Sequence, residues 1–591
     1  MRAFAAALAG ALLGTASIAA PDLVIHNAKV FTADPGRPVA EAVAVEAGRI
    51  RYVGTSAQAR RLAGSKTRVI DAGGRLLVPG LIEAHGHAGP YPPGTQIALP
   101  GLPWPGPTPD QTLDAVRRTS ASSDGWLLGS IGAAMMADDR DWRTALDRVA
   151  PNDPVLLRPW WGHGMTVNSR ALELLGIRDG DPDPIGGWYG RTAGGKLNGR
   201  IREGAEIRVI RRLSERLPRA EAVRRFAETG ARYARWGVTS FNQMANNLSA
   251  SATLAALGAA PPTIRWSVYA WGLPAASVDE AWAELSAAGT PPPLVRLAGS
   301  KWMLDATPIE RDALMREAYR GTPANRGRSN YTADQVRAIL RGALRERRQL
   351  ALHVSGDGEM ARLFSLMEEV APAATWRGRR VRIEHGDGLT ADLLPQAKRL
   401  GVVLIANPLH VAPSRDETGG EMMVTRLGDE RARAFQPLKS VIAAGVPLAF
   451  GSDASGDAAN PFLNIMLAVR YDRNPAEAVT REQALTAYTA TAAYAEGEEK
   501  RKGRIAPGML ADLAILSQDI LSVPIEALPG TRSLLTLVDG RIAYQDPALA
   551  EAQSSSASSI SRSAVSMKSR AASRSASSSN AWSSSGAAPS M

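Results

Sequence analysis

Cysteine is absent from all 591 residues. The chain therefore has no disulfide, no thiolate-held zinc, no thiol nucleophile and no lipid anchor on a cysteine. Aromatic residues are sparse at 5%, and the formal charge of +11 is not gathered into a basic stripe interleaved with them. Part of the excess sits near the end, at Arg562, Lys568, Arg570 and Arg574. Nucleic acid is not expected as a partner on that pattern. No glycine-rich nucleotide loop follows any expected strand, which argues against a doubly wound nucleotide-binding sheet. Beyond the first twenty residues no stretch is apolar enough to span a bilayer, so stable membrane insertion is not expected. Histidine is scarce too, with only seven in the chain.

What is present divides the chain. Residues 1–20 carry Arg2, an apolar Ala/Leu/Gly/Ile run and Ser17-Ile18-Ala19, the pattern of a cleaved signal peptide. Export is expected, to the periplasm in a Gram-negative cell; a mis-assigned start is the alternative. Short strands are expected in 21–75 and again in 503–548, and the two ends are paired into one small β-sandwich. Between them, in 76–502, eight apolar strands alternate with amphipathic helices such as Ala333–Arg347 and Glu359–Val370. The fold class is α/β, a (β/α)8 TIM-like barrel, with a large insertion at about 90–230 after the first barrel strand. An open doubly wound sheet is the competing arrangement. From 549 the composition falls to Ser and Ala, and this tail is expected to be disordered or non-native.

The run Leu76-Leu-Val-Pro-Gly-Leu-Ile-Glu-Ala-His-Gly-His87 reads as a buried strand with two histidines where it ends. Residues i and i+2 of an extended chain share a side, so His85 and His87 aim two imidazoles at one point. That suits a metal ion, though the pair alone fits a polar strand end equally well. Other strand ends add His353, His385 and Asp453, and Lys301 lies on the fourth strand. The gathering of four histidines on one barrel face favours a metal centre. His85, His87 and Asp453 then hold a first divalent cation, with zinc expected on this ligand chemistry, and His353 and His385 a second. Two cations need an anionic bridge, which Lys301 supplies if CO2 converts it to a carbamate. Otherwise it is a solvated or substrate-binding lysine beside a single metal. Asp305 is a spare acid on the same strand.

The ligand order His-x-His, Lys, His, His, Asp resembles the amidohydrolase superfamily, and the finer text resembles its YtcJ-like branch, amidohydrolase family 3, which includes N-substituted formamide deformylases. The matching text is Val78-Pro-Gly-Leu-Ile-Glu-Ala-His-Gly-His87, Gly162-His-Gly-Met-Thr-Val-Asn-Ser-Arg-Ala-Leu172, Lys301-Trp-Met-Leu-Asp305, His353-Val-Ser-Gly-Asp357, Arg382-Ile-Glu-His385, Gly451-Ser-Asp453 and Gly503-Arg-Ile-Ala-Pro-Gly-Met-Leu-Ala-Asp512. Departures are Glu83 where the family more often has Asp, Ala306 where it has Gly, and Asn407 where it has Gln.

Metal-activated hydroxide attacking a carbonyl is the mechanism expected, with Asp453 taking the proton and passing it to the departing amine. The substrate is expected to be a small molecule with a non-peptide C–N bond: an N-substituted formamide, amide or cyclic amide. An ester, lactone or carbamate is the alternative, and a non-catalytic binding or regulatory protein the third. His163 and His410 are divided between substrate contact or oxyanion stabilisation and ordinary loop hydrogen bonding. Trp160, Trp161, Trp188, Trp266, Trp271 and Trp302 are divided between an apolar substrate pocket and core. A homodimer is compatible with all of this.

Overall fold

The computed structural model describes residues 20–102, 104–120, 125–274 and 276–549. Residues 1–19 of the expected signal peptide and 550–591 of the expected Ser/Ala-rich tail lie outside the described residues.

Eight strands form one sheet in the order of the chain: β1 (Leu81–Gly86), β2 (Val238–Ala245), β3 (Arg265–Trp271), β4 (Val295–Met303), β5 (Gln349–Val354), β6 (Arg382–His385), β7 (Val403–Ala406) and β8 (Leu448–Phe450). All neighbouring pairs are parallel. Such strands are covered on both faces, which is why they read as apolar runs rather than alternating ones; every residue of β2 is buried. β8 returns to β1 and closes the barrel nearly completely. Helices cover the outside. The helix Ala333–Arg345 is typical: Thr332 and Gln335 cap its start reciprocally, and Val336, Ile339, Leu340 and Ala343 form the buried stripe. The register sets Met303 beside His353 and Val354 beside His385, so strand ends meet at one rim.

The run read as a single strand from Leu76 is two strands. Leu76–Pro79 ends at Gly80, where an added Cβ would meet Thr239 Oγ1 at 2.2 Å. It belongs to a six-stranded sheet, between Lys29–Phe31 and Leu513–Leu516. Only Leu81–Gly86 is barrel, so the boundary drawn at residue 76 falls inside the small sheet. A four-stranded sheet of Leu23–His26, Ala42–Glu46, Arg49–Gly54 and Arg68–Asp71 shares a core with the six-stranded one through Ile25, Val43, Leu513 and Leu535.

Between β1 and β2 stands another six-stranded sheet, from Thr95–Gln96 to Leu197–Glu203, with its own apolar clusters. It brings His163 against His353 and Glu203 against Asn330 at the barrel rim. Among the described residues no helix is long and apolar enough to cross a membrane.

Candidate metal centre

His85 is the penultimate residue of β1 and His87 follows the strand, with ring centroids 5.4 Å apart. Asp453 lies just beyond β8. Its Oδ1 is 3.6 Å from His85 Nε2 and 3.2 Å from His87 Nε2, and its Oδ2 is 3.7 Å from His385 Nδ1. The His385 ring stands 4.7 Å from that of His85 and 4.4 Å from that of His353. All four imidazoles and the carboxylate therefore converge on one place. Asp453 and His385 both have positive φ, 49° and 67°. Non-glycine residues rarely adopt that conformation, and here it turns the chain so that each side chain reaches the rim.

Each imidazole has one ring nitrogen held by an oxygen. His85 Nδ1 meets Glu384 Oε2 at 2.5 Å, His87 Nδ1 the Met244 carbonyl at 3.0 Å, His385 Nδ1 Asn407 Oδ1 at 2.7 Å, and His353 Nε2 the Ala306 carbonyl at 3.3 Å. A carbonyl or carboxylate oxygen only accepts, so the facing nitrogen carries the proton and the other carries a lone pair. His85 Nε2 is buried with no hydrogen-bond partner. Burial, together with the Lys301 ammonium, brings His85 down to about 4. Burial also holds His353 and His385 well below the usual imidazole range, joined by the neighbouring His163 and His353 respectively. Neutral imidazoles with oriented lone pairs are what a divalent cation requires.

Two sets of ligand atoms lie within 4.8 Å of one another at this rim: His85, His87 and Asp453, and His385, His410 and Asp453. The second differs from the sequence-based pairing of His353 with His385, since His410 takes the place of His353 in it. His353 remains in ring contact with His385. Burial opposes the charge on Asp453, but His85, His87 and His410 hold its carboxyl below the usual range. Lys301, on β4, is buried, and its Nζ lies 5.6 Å from the Trp271 ring centroid. Burial lowers its ammonium to about 8 against the opposing pull of Glu384 and Asp453. Asp305 is not a spare ligand: it is fully buried and accepts the backbone N–H groups of Ser355, Gly356 and Leu314.

The segment between β1 and β2 supplies His163, whose ring is 4.8 Å from that of His353. Its Nδ1 meets Glu203 Oε2 at 3.2 Å, and a Glu310 oxygen lies within 4.8 Å of both. Burial opposes its charge, but Glu203 and Glu310 raise it to about 9. His410 pairs similarly with Asp387, Nδ1 to Oδ1 at 3.2 Å. The tryptophans divide. Trp266 and Trp302 are core, and Trp188 lies under the Arg328 guanidinium. Trp271 borders His87 at 6.0 Å. Trp160 and Trp161 cluster with Trp104, and Trp161 Nε1 donates to Glu310 Oε2 at 3.2 Å. Sequence reasoning missed Glu384, Glu203, Glu310 and Asp387. Asn407, noted there as a departure from the family pattern, holds the candidate ligand His385 in place.

A parallel barrel with histidines and an aspartate gathered at the C-terminal rim of its strands is the scaffold of a metal-dependent hydrolase. Residues 68–544 match the Amidohydrolase family, and the chain belongs to it. It is 27% identical over 546 residues to the putative amidohydrolase YtcJ of Bacillus subtilis (strain 168), covering 88% of this chain and 99% of that protein. It is 26% identical over 545 residues to the N-substituted formamide deformylase of Arthrobacter pascens, covering 89% and 98%. The fold is shared with an uncharacterized metal-dependent hydrolase from Pyrococcus horikoshii OT3, at a TM-score of 0.64 and 20% identity, over 85% of this chain and 99% of that one.

Proposed function

We propose that this hydrolase cleaves a non-peptide carbon–nitrogen bond, in an N-substituted formamide, an amide or a cyclic amide, using one or two divalent cations, zinc foremost. The observation that carries the reading is His85 Nε2, buried, without a hydrogen-bond partner and 3.6 Å from Asp453 Oδ1. A buried polar atom left unsatisfied costs about 1–3 kcal/mol, and a coordinated cation satisfies it. His85, His87 and Asp453 would hold a first cation. His353, His385 and Lys301, the last as a carbamate, would hold a second. The near full-length likeness to a formamide deformylase supports the choice of bond.

The chemistry such a cation supplies is polarisation of a carbonyl and ionisation of water near neutral pH, from about 15.7 in bulk to about 7. Asp453 accepts the proton of the attacking water and returns it to the departing nitrogen, which would otherwise leave as a poor amide anion. His163 and His410 each have Nδ1 engaged by a carboxylate, which leaves Nε2 to contact substrate and stabilise charge on the carbonyl oxygen.

The test is metal analysis of the purified protein together with turnover of a panel of formamides, amides and cyclic amides against esters and lactones. Expected are bound zinc, C–N cleavage lost with a chelator, and loss of both metal and activity in His85→Ala. Full turnover by metal-free protein would overturn the reading, and a preference for esters would overturn the bond assignment. Export, proposed from the pattern of residues 1–20, is tested by cell fractionation.

A further inference from the structure

We propose that Glu384 is the positioning residue that makes Nε2 of His85 a metal ligand, a role that rests on the reading of His85 given above. Three of the four candidate imidazoles are backed by neutral acceptors: the Met244 and Ala306 carbonyls and the Asn407 amide oxygen. Of these four only His85 is backed by a carboxylate, Glu384 Oε2 at 2.5 Å, with both side chains wholly inaccessible to solvent, while His410 of the second set is backed more loosely by Asp387 at 3.2 Å. A carboxylate there locks the proton on Nδ1. It leaves the lone pair on Nε2, the atom that lacks any partner.

The carboxylate is itself immobilised. Its Oε1 accepts from Arg382 Nε at 2.7 Å. Arg382 also donates to Asn242 Oδ1 and to the Tyr269 hydroxyl, each at 2.8 Å, and to the Ala84 carbonyl. These partners come from β2, β3 and β1, so three strands fix the guanidinium, and through it Glu384 cannot follow a rotating ring. Adjacent strand residues ordinarily face opposite sides. The positive φ of His385 turns the chain immediately after Glu384, so that one residue supports a candidate ligand while the next is one.

The test is zinc affinity of metal-free protein, read by competition with a chromophoric chelator, with the thermal melt of the same zinc-free samples in parallel. Glu384→Gln leaves Arg382 buried without its counter-charge. A double variant, R382M/E384Q, removes both charges at similar volume, so that no uncompensated charge is left buried. Both are expected to bind zinc about 10–100-fold more weakly than the wild type. The double variant is expected to melt cooperatively when zinc-free. Wild-type zinc affinity in a cooperatively melting double variant would overturn the role of Glu384 while leaving the metal centre standing. Failure of the wild-type protein itself to bind zinc would overturn the metal centre, and this role with it.

Discussion

The carboxylate of Glu83, on the first barrel strand, accepts the backbone N–H of Ser452, beyond the eighth, at 2.7 Å, and that of His85 at 3.1 Å. Among the described residues β1 and β8 share no ladder. This side chain joins them at the rim, together with the Asp453 N–H donating to the His85 carbonyl at 3.0 Å. The seam therefore sets the distance between His85 and Asp453.

Gly451→Ala tests the seam. An added Cβ would meet His85 N at 2.4 Å and Glu83 Oε1 at 2.8 Å. Overpacking here is expected to cost about 1–3 kcal/mol and to loosen metal retention by moving β8 off β1. Thermal melts and metal content check this. A variant that melts and holds metal like the wild type would show that the seam has slack.

Asp453→Asn keeps the shape of the side chain but removes the proton acceptor. Turnover is expected to fall about 10²–10⁴-fold with the circular dichroism spectrum unchanged. Undiminished kcat would require another base.

His163→Gln is expected to lower kcat/KM about 10–100-fold, the loss of one hydrogen bond from a charged group at about 1.5–3 kcal/mol. Metal content is expected to stay at the wild-type level. Loss of metal instead would make His163 a ligand and not a substrate contact.

Glu496 and Lys502 form a buried ion pair at 2.6 Å, away from the rim. Burial opposes the charge on Glu496, but Lys502 and Arg296 hold its carboxyl below the ordinary range. A carboxyl depressed in the folded state contributes stability above its unfolded pKa of about 4.3, and that contribution is lost as pH falls through the lower folded value. Glu496→Gln is expected to cost about 3–5 kcal/mol at neutral pH, because Lys502 is left buried and unpaired. It is also expected to flatten the acid limb of the melting-temperature profile. An unchanged acid limb would assign acid unfolding to other carboxylates.

Much of the barrel is legible in the sequence because parallel strands covered on both faces leave apolar runs, and four of these runs carry a histidine or an aspartate at or just past their C-terminal ends. His85, His353, His385 and Asp453 stand out for that reason. The change of sheet at Gly80 does not, since hydrophobicity continues across it and only Pro79-Gly80 interrupts the pattern. Glu384 is hidden because period-two reasoning assigns it to the side opposite His385, and the positive φ that brings both into use leaves no mark in composition. Glu203 is hidden by distance in sequence and by its own positive φ of 55°. Asn407 is conspicuous only as a departure from a family pattern, which says nothing of the imidazole it supports.

The strand Leu76–Pro79 lies between Lys29–Phe31 and Leu513–Leu516 in one sheet. An early segment thus depends on a late one: the edge of Leu76–Pro79 that pairs with Leu513–Leu516 has no partner until residue 516 has been synthesised. The barrel strands all lie between these segments, so every one of them has been synthesised before the sheet beside them can be completed.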